Sequence, residues 1–572
     1  MNWSHLMTTD ATIDGARGPS ATINGRTLLA RSLKQQGVDY LFGVVGFPIT
    51  EFAAEAQNEG IKYIGMRNEQ AASYAAQAAS YVLGRPQACT TVSGPGVIHA
   101  LAGLANAQAN CWPMILIGGA SAINQNGMGA FQEENQVELA RPLSKYAHSL
   151  DRVDRIPYYV EQAVRTSLYG RPGAAYLDAP DDVLIAEIPL SQVQTAPTVP
   201  DAPKPGVPER DIQAALTALK SAERPLVIIG KGMAWARAEN EVRELIEKTQ
   251  LPFLPTPMGK GVVDDDHPLA VSPARTLALR EADVVLLLGA RLNWILHFGK
   301  PPRWAEDVRI IQVDIAAEEI GANVPAEIGL VGDGAAIVGQ LNQAIDESGW
   351  QYPGETTWRS ALQSKVDENV QVSANLMADE STPMNYYRPL QAIRDSLPAD
   401  TIIVSEGAGT MDIGRTVLPN HGPRTRLDAG SYGTMGVGLG FAIGAAVAKP
   451  GTRIVALEGD AAFGFSGMEY ETMVRYNLPI TIIVINNNGI AGGVAELPVD
   501  RDPPPDVFSP GARYERIADM FGGRGYYVTE PDELEPALTA ANSGEGPAIV
   551  HIRIDPNAGR KPQQFGWHTP TN

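Results

Sequence analysis

Short apolar runs alternate with Ala-rich stretches of helical spacing from about residue 20 to 190. Tyr40–Val45 (YLFGVV), Ala88–Val92 (ACTTV), Met114–Gly118 (MILIG) and Ala174–Leu177 (AAYL) read as buried strands. Glu69–Tyr81 and His99–Ala109 read as helices. Continuous apolar strands alternating with helices predict parallel sheets covered on both faces. The rhythm returns at Pro225–Ile229, Asp283–Leu288 and Arg309–Val313, and again at Thr401 (TIIVSEG), Arg453–Glu458, Ile480–Ile485 and Ala548–Ile552. The Pro-rich stretch Ala196–Pro208 reads as a linker, and 351–385, polar and without a strong period, as another connection. The pattern predicts an α/β chain of three doubly wound parallel-sheet domains, at 21–195, 209–350 and 386–555. A disordered start (1–20) and a tail (556–572) complete it. The first and third units share a rhythm without a close sequence repeat.

Composition narrows the chemistry. The 572 residues carry a net charge of −20, so general binding to nucleic acid or anionic membrane is disfavoured. An anionic ligand would need locally placed cations and backbone amides. Two cysteines, Cys89 and Cys111, allow no disulfide framework. They read as inert core residues of a cytoplasmic protein. No apolar run approaches the ~18 residues of a membrane span.

The strongest chemical signal is Gly459-Asp460-Ala461-Ala462-Phe463 followed by Ile485-Asn486-Asn487-Asn488-Gly489, each after an apolar strand. Asp460 and Asn487 therefore fall at the C-terminal edge of a parallel sheet, where such sheets bind ligands. The Asp460 carboxylate, the Asn487 amide oxygen and the Gly489 carbonyl make an all-oxygen half-shell suited to Mg²⁺. Small Ala461 and Ala462 let backbone N–H groups approach a diphosphate. Either half alone also fits a capped strand–turn–helix. HExxH-type zinc spacing is absent. Gly436-Val437-Gly438-Leu439-Gly440 lacks the strand context of a dinucleotide loop and reads as close helix packing.

The pair at this spacing resembles the thiamine diphosphate enzymes of the acetolactate synthase and oxalyl-CoA decarboxylase superfamily, over nearly the whole chain. Arg67-Asn68-Glu69-Gln70-Ala71 is similar to the family's catalytic glutamate segment, Gly433-Thr434-Met435-Gly436 to its wedge segment, and Ser93-Gly94-Pro95-Gly96 to the turn behind the pyrimidine ring. The resemblance implies pyrimidine-binding, central nucleotide-binding and diphosphate-binding domains, with thiamine diphosphate and Mg²⁺ as cofactors. It implies that Glu69 hydrogen-bonds the pyrimidine N1′, that Met435 wedges between the rings, and that the Gly433 carbonyl accepts from the 4′-amino group. Asp460, Ala461, Ala462, Asn487, Gly489 and Ile490 would line the diphosphate and metal. It also implies a homodimer or homotetramer with active sites between subunits. Without it, Glu69 reads as a solvated helix face.

The central domain places Lys231, Arg291 and Asp314 just after strands. These segments resemble the CoA branch, in which that domain takes the nucleotide of CoA, or ADP; Arg171, in a widespread turn, is a weaker candidate. Loop charges on a vestigial nucleotide fold are the alternative. Arg560–Trp567 resembles the end of 2-hydroxyacyl-CoA lyases and suggests a lid, although a frayed terminus has the same composition. The chain departs from the decarboxylases where their Tyr after the metal motif is Ala491 here, and where their Tyr-Glu pair is Phe131-Gln132. Gln132 and Glu496 join Glu69 as candidate catalytic residues, with Glu496 as a base; a solvated loop carboxylate is its alternative. The expected function is a thiamine-diphosphate-dependent lyase that cleaves 2-hydroxyisobutyryl-CoA to acetone and formyl-CoA. The rivals are oxalyl-CoA decarboxylase, an acetolactate-synthase-like carboligase and a non-catalytic binding subunit.

Overall fold

The computed structural model describes residues 21–561. Three parallel sheets dominate it. The first runs in the spatial order Lys62–Gly65, Tyr40–Val44, Ala88–Thr91, Met114–Ala120, Ala174–Pro180, Tyr146–Ser149. The second runs Phe253–Pro255, Pro225–Ile229, Val284–Leu288, Arg309–Asp314, Ile328–Val331. The third runs Arg426–Asp428, Ile402–Glu406, Ile454–Gly459, Ile480–Asn486, Ala548–Arg553, Arg524–Val528. An antiparallel pair, Thr22–Asn24 with Glu187–Pro189, ties the two ends of the first unit together.

Ranked along the chain, the strands of the first and third sheets take the same order, 2-1-3-4-6-5, and the second takes 2-1-3-4-5. The repeat unseen in the sequence is thus a repeat of topology. Each sheet reverses its winding between its first and third strands, which opens a crevice at their carboxyl ends. In the third sheet those ends lead into Gly407 and Asp460. In the second they lead into Gly230-Lys231 and Gly289-Ala290-Arg291.

The first and third units pack through two helices, Glu69–Leu83 and Gly438–Ala448. The second is apolar all round and fully buried. A Cβ on Gly440 would sit 2.7 Å from the Ala71 carbonyl oxygen, and one on Gly444 2.2 Å from that of Ala75. These glycines let the two backbones meet, which is the packing role expected of this Gly-rich run.

Two expectations are corrected. Residues read as a connection without a strong period contain a 21-residue helix, Thr357–Met377, capped by Thr356. Only Trp358, Leu362 and Ser373 are buried on it, so its apolar stripe is too thin to show a period. Cys89 is core, but Cys111 is only half-buried, at a left-handed helix cap (φ 55°), and lines a cavity. The start at 1–20, and Phe565 and Trp567 of the tail, lie outside the described residues. No helix among the described residues is long and apolar enough to cross a membrane.

Candidate active site and nucleotide cavity

Asp460 opens a helix directly after the strand Ile454–Gly459. Its Oδ1 accepts from Ala461 N (2.8 Å) and its Oδ2 from Gly489 N (3.0 Å), which joins the two halves of the motif. Burial pushes its carboxyl up to about 6 despite these N–H donors. Burial costs an isolated carboxylate its hydration, and a cation restores the balance. The turn after the next strand is closely packed. Asn488 and Ala491 take left-handed φ, and a Cβ on Gly493 would lie 2.0 Å from the Asn487 carbonyl oxygen. Asn487 is buried and donates its amide nitrogen to Ala491 O (3.3 Å). This leaves its Oδ1 to face elsewhere.

Residues at the crevice fit a diphosphate with Mg²⁺. The donors are all oxygens. Gly407 (φ 91°) approaches so closely that its Cβ would lie 3.2 Å from Gly459 N, and the nearest side-chain atoms at the gap between the two strand ends are the Ala462 methyl and the Thr410 hydroxyl. Ala462 is buried, and Ile490 is half-exposed at the mouth.

Gly433 (φ 68°) and Gly436 (φ 93°) bracket Met435 in a loop pinned from below. Glu406, at the end of its strand, accepts from Gly436 N and from Gly438 N (2.6 Å). Glu458 lies opposite Glu406 in register, and burial drives both carboxyls upward. Glu406 was not singled out from sequence. It meets its partners across 30 residues, and no local spacing marks it.

Glu69 is the first residue of its helix, behind the cap Asn68, whose Oδ1 accepts from Gln70 N (2.7 Å). Its side chain is 14% exposed, with Oε2 3.1 Å from His99 Nδ1 and Oε1 beside Gly96. Gln132 takes a left-handed backbone (φ 56°) and accepts from Ser93 Oγ (3.4 Å). Its neighbour Glu133 is spent on the loop's own amides, Gly127, Gly129 and Ala130, which hold its carboxyl low. Glu496 is exposed on the loop after Ala491.

Arg171, Lys231, Arg291 and Asp314 all line one cavity of about 530 Å³ at the switch point of the second sheet. Their present partners refine the expectation of free phosphate binders. Arg171 pairs with Glu319 (2.7 Å) and Asp314 (3.4 Å). Lys231 donates to Asn110 O over the Trp112 ring, and burial lowers its ammonium to about 8. Arg291 donates to Ala109 O (2.8 Å) and Ser431 Oγ (3.0 Å), and Trp294 Nε1 to Ser431 O (2.7 Å). The cavity wall therefore holds the loop that leads to Gly433 and Met435.

A second cationic group was not foreseen. Arg275 and Arg303 converge on His297, and Arg415 holds Asp412 and Asp428. Burial and the neighbouring Arg303 and Arg415 lower Arg275 to about 10, and His297 is held near 3. Arg560 reaches the same Asp412. These residues come from distant segments and gather at the helix after Gly407. No motif in the sequence collects them.

Comparison with known proteins bears on this arrangement. Models of the thiamine pyrophosphate enzyme match its N-terminal TPP binding domain at 23–139, its central domain at 212–341 and its C-terminal TPP binding domain at 407–552. The chain is 49% identical to mouse 2-hydroxyacyl-CoA lyase 1, over 98% of this chain and 99% of that protein. It is 44% identical to the Arabidopsis thaliana 2-hydroxyacyl-CoA lyase, over 94% and 96%. It is 42% identical to the oxalyl-CoA decarboxylase of Escherichia coli K12, over 94% and 96%.

Proposed function

Because the chain belongs to the thiamine pyrophosphate enzyme family, among 2-hydroxyacyl-CoA lyases and oxalyl-CoA decarboxylases, we propose that it is a lyase that cleaves the C1–C2 bond of a 2-hydroxyacyl-CoA. We take 2-hydroxyisobutyryl-CoA as the substrate, with acetone and formyl-CoA as products. The observation that carries the reading is the joining of two sites. Arg291, on the cavity proposed for the CoA nucleotide, and the nearby Trp294 hold Ser431, two residues from Gly433 and four from Met435.

When bound, thiamine diphosphate supplies the nucleophilic carbon and the sink for the electron pair freed by C–C cleavage. Asp460, Asn487 and Gly489 would hold its diphosphate through Mg²⁺. Glu69 would keep a proton at the pyrimidine N1′. Met435 would set the angle between the rings from a loop fixed by Glu406. Glu496 would take the 2-hydroxyl proton once a partner subunit covers its loop, and Gln132 would orient the acyl oxygen. Lys231, Arg291 and Arg171 would exchange their present carbonyl and carboxylate partners for phosphates of CoA.

Ala491 is the basis for choosing a branched substrate. It stands where a phenol fills the site in the decarboxylases it resembles, and its left-handed φ turns the loop back without bulk. Ala491→Tyr should lower kcat/KM for 2-hydroxyisobutyryl-CoA more than for a straight-chain 2-hydroxyacyl-CoA, by roughly tenfold, since overfilling a fitted site costs ~1–3 kcal/mol. An unmoved ratio would show that the acyl group is selected elsewhere.

Lys231→Ala should raise KM for CoA substrates more than it lowers kcat, because remote contacts bind ground and transition states alike, whereas Arg291→Ala should lower kcat as well, because it also frees Ser431. An unchanged KM would place the nucleotide elsewhere, and the Arg275 group would be the next site to vary.

A further inference from the structure

We propose that Glu469 is a positioning residue for Glu69, acting across domains. The inference rests on Glu69 serving thiamine diphosphate and is independent of which acyl-CoA is cleaved. Glu469 lies nine residues past Asp460, in the diphosphate-binding unit, and is 1% exposed. Its Oε1 accepts from Arg67 N (3.1 Å) and Asn68 N (3.0 Å), and its Oε2 from Thr472 Oγ1 (2.9 Å). Arg67 and Asn68 immediately precede Glu69. A carboxylate 400 residues away in sequence thus takes the two backbone donors at the mouth of the helix that carries the catalytic glutamate.

The rest of that turn is gripped from the same side. Gly65 N donates to Tyr476 Oη (2.8 Å), and Arg475 donates to Gly65 O (2.7 Å). Three donors converge on Glu469, which as a carboxylate offers acceptors only. Arg67 N is shared by both carboxylate oxygens, Oε1 at 3.1 Å and Oε2 at 3.2 Å, so a glutamine in either orientation would set its NH₂ against that N–H in a buried place, and part of its hydrogen bonding would be lost. The loss would fall on the backbone of residues 67 and 68 and tilt Glu69 away from its partner. A displacement of about 1 Å near a reacting centre can cost ~10²-fold in rate. The same segment of chain that starts at Asp460 in one half-site therefore sets the glutamate of the other.

The test uses the full-length protein and needs no acyl-CoA. In Glu469→Gln apoenzyme, backbone amides of residues 66–69 should exchange with deuterium about tenfold faster than in wild type. In the same variant saturated with Mg²⁺ and thiamine diphosphate, exchange of the cofactor's C2 proton should slow by roughly 10–100-fold, the range for partners that orient functional groups. The dissociation constant of the cofactor should stay within about threefold. A merely structural contact would speed amide exchange and leave C2 exchange untouched, which would overturn the proposal. If Glu469→Gln does not fold, Thr472→Val, which removes one donor, should slow C2 exchange in the same direction by a few-fold; no change would equally overturn it. Failure to form formyl-CoA would sink the lyase reading and leave this result standing.

Discussion

Glu69→Gln is expected to retain Mg²⁺ and thiamine diphosphate and to lose most of its activity, with kcat falling by ~10²–10⁴, the range of a lost acid–base partner. Glu69 is largely buried at the first turn of its helix, beside His99 and Gly96. Glutamine fills the same volume, so packing against Gly96 survives. An amide cannot take or hold a proton at pyrimidine N1′ as a carboxylate does. The checks are a cofactor titration and turnover in the same preparation. Turnover near wild type would remove Glu69 from its role.

Asp460→Asn should act earlier, at assembly of the holoenzyme. The amide keeps one oxygen to accept from Gly489 N but sets its NH₂ against Ala461 N, and the negative charge that would face the metal is lost. Changing groups that only orient metal ligands costs ~10–100-fold in affinity, and a direct ligand should cost at least the upper end. Calorimetric titration of Mg²⁺ in the presence of thiamine diphosphate measures this. The activity lost should return in part at high Mg²⁺, unlike that of Glu69→Gln. Chelation of Mg²⁺ from the wild type should release the cofactor. Equal Mg²⁺ affinity in Asp460→Asn would exclude Asp460 as a ligand.

The sheets were legible because strands such as Val284–Leu288 are buried on both faces and leave continuous apolar runs. Asp460 and Asn487 were conspicuous because a carboxylate and an amide each directly follow such a run. The helix Thr357–Met377 escaped because a helix with so little buried surface needs no apolar stripe. Glu406 and Glu469 escaped for a different reason. Each works by accepting backbone N–H groups from a distant segment, and backbone donors leave no trace in residue identity. The cations around Arg275 and His297 are likewise assembled from separate segments. Cys111 was misjudged because an adjacent apolar strand says nothing about a left-handed cap that turns toward a cavity.

The central claim is bond cleavage between C1 and C2 of a 2-hydroxyacyl-CoA. The most direct test incubates the holoenzyme with 2-hydroxyisobutyryl-CoA, a straight-chain 2-hydroxyacyl-CoA and oxalyl-CoA in parallel, and follows the thioesters by mass spectrometry. The account predicts formyl-CoA from both 2-hydroxyacyl-CoAs, with acetone in equal amount from the branched one. Release of CO₂ from oxalyl-CoA with no cleavage of either 2-hydroxyacyl-CoA would contradict it.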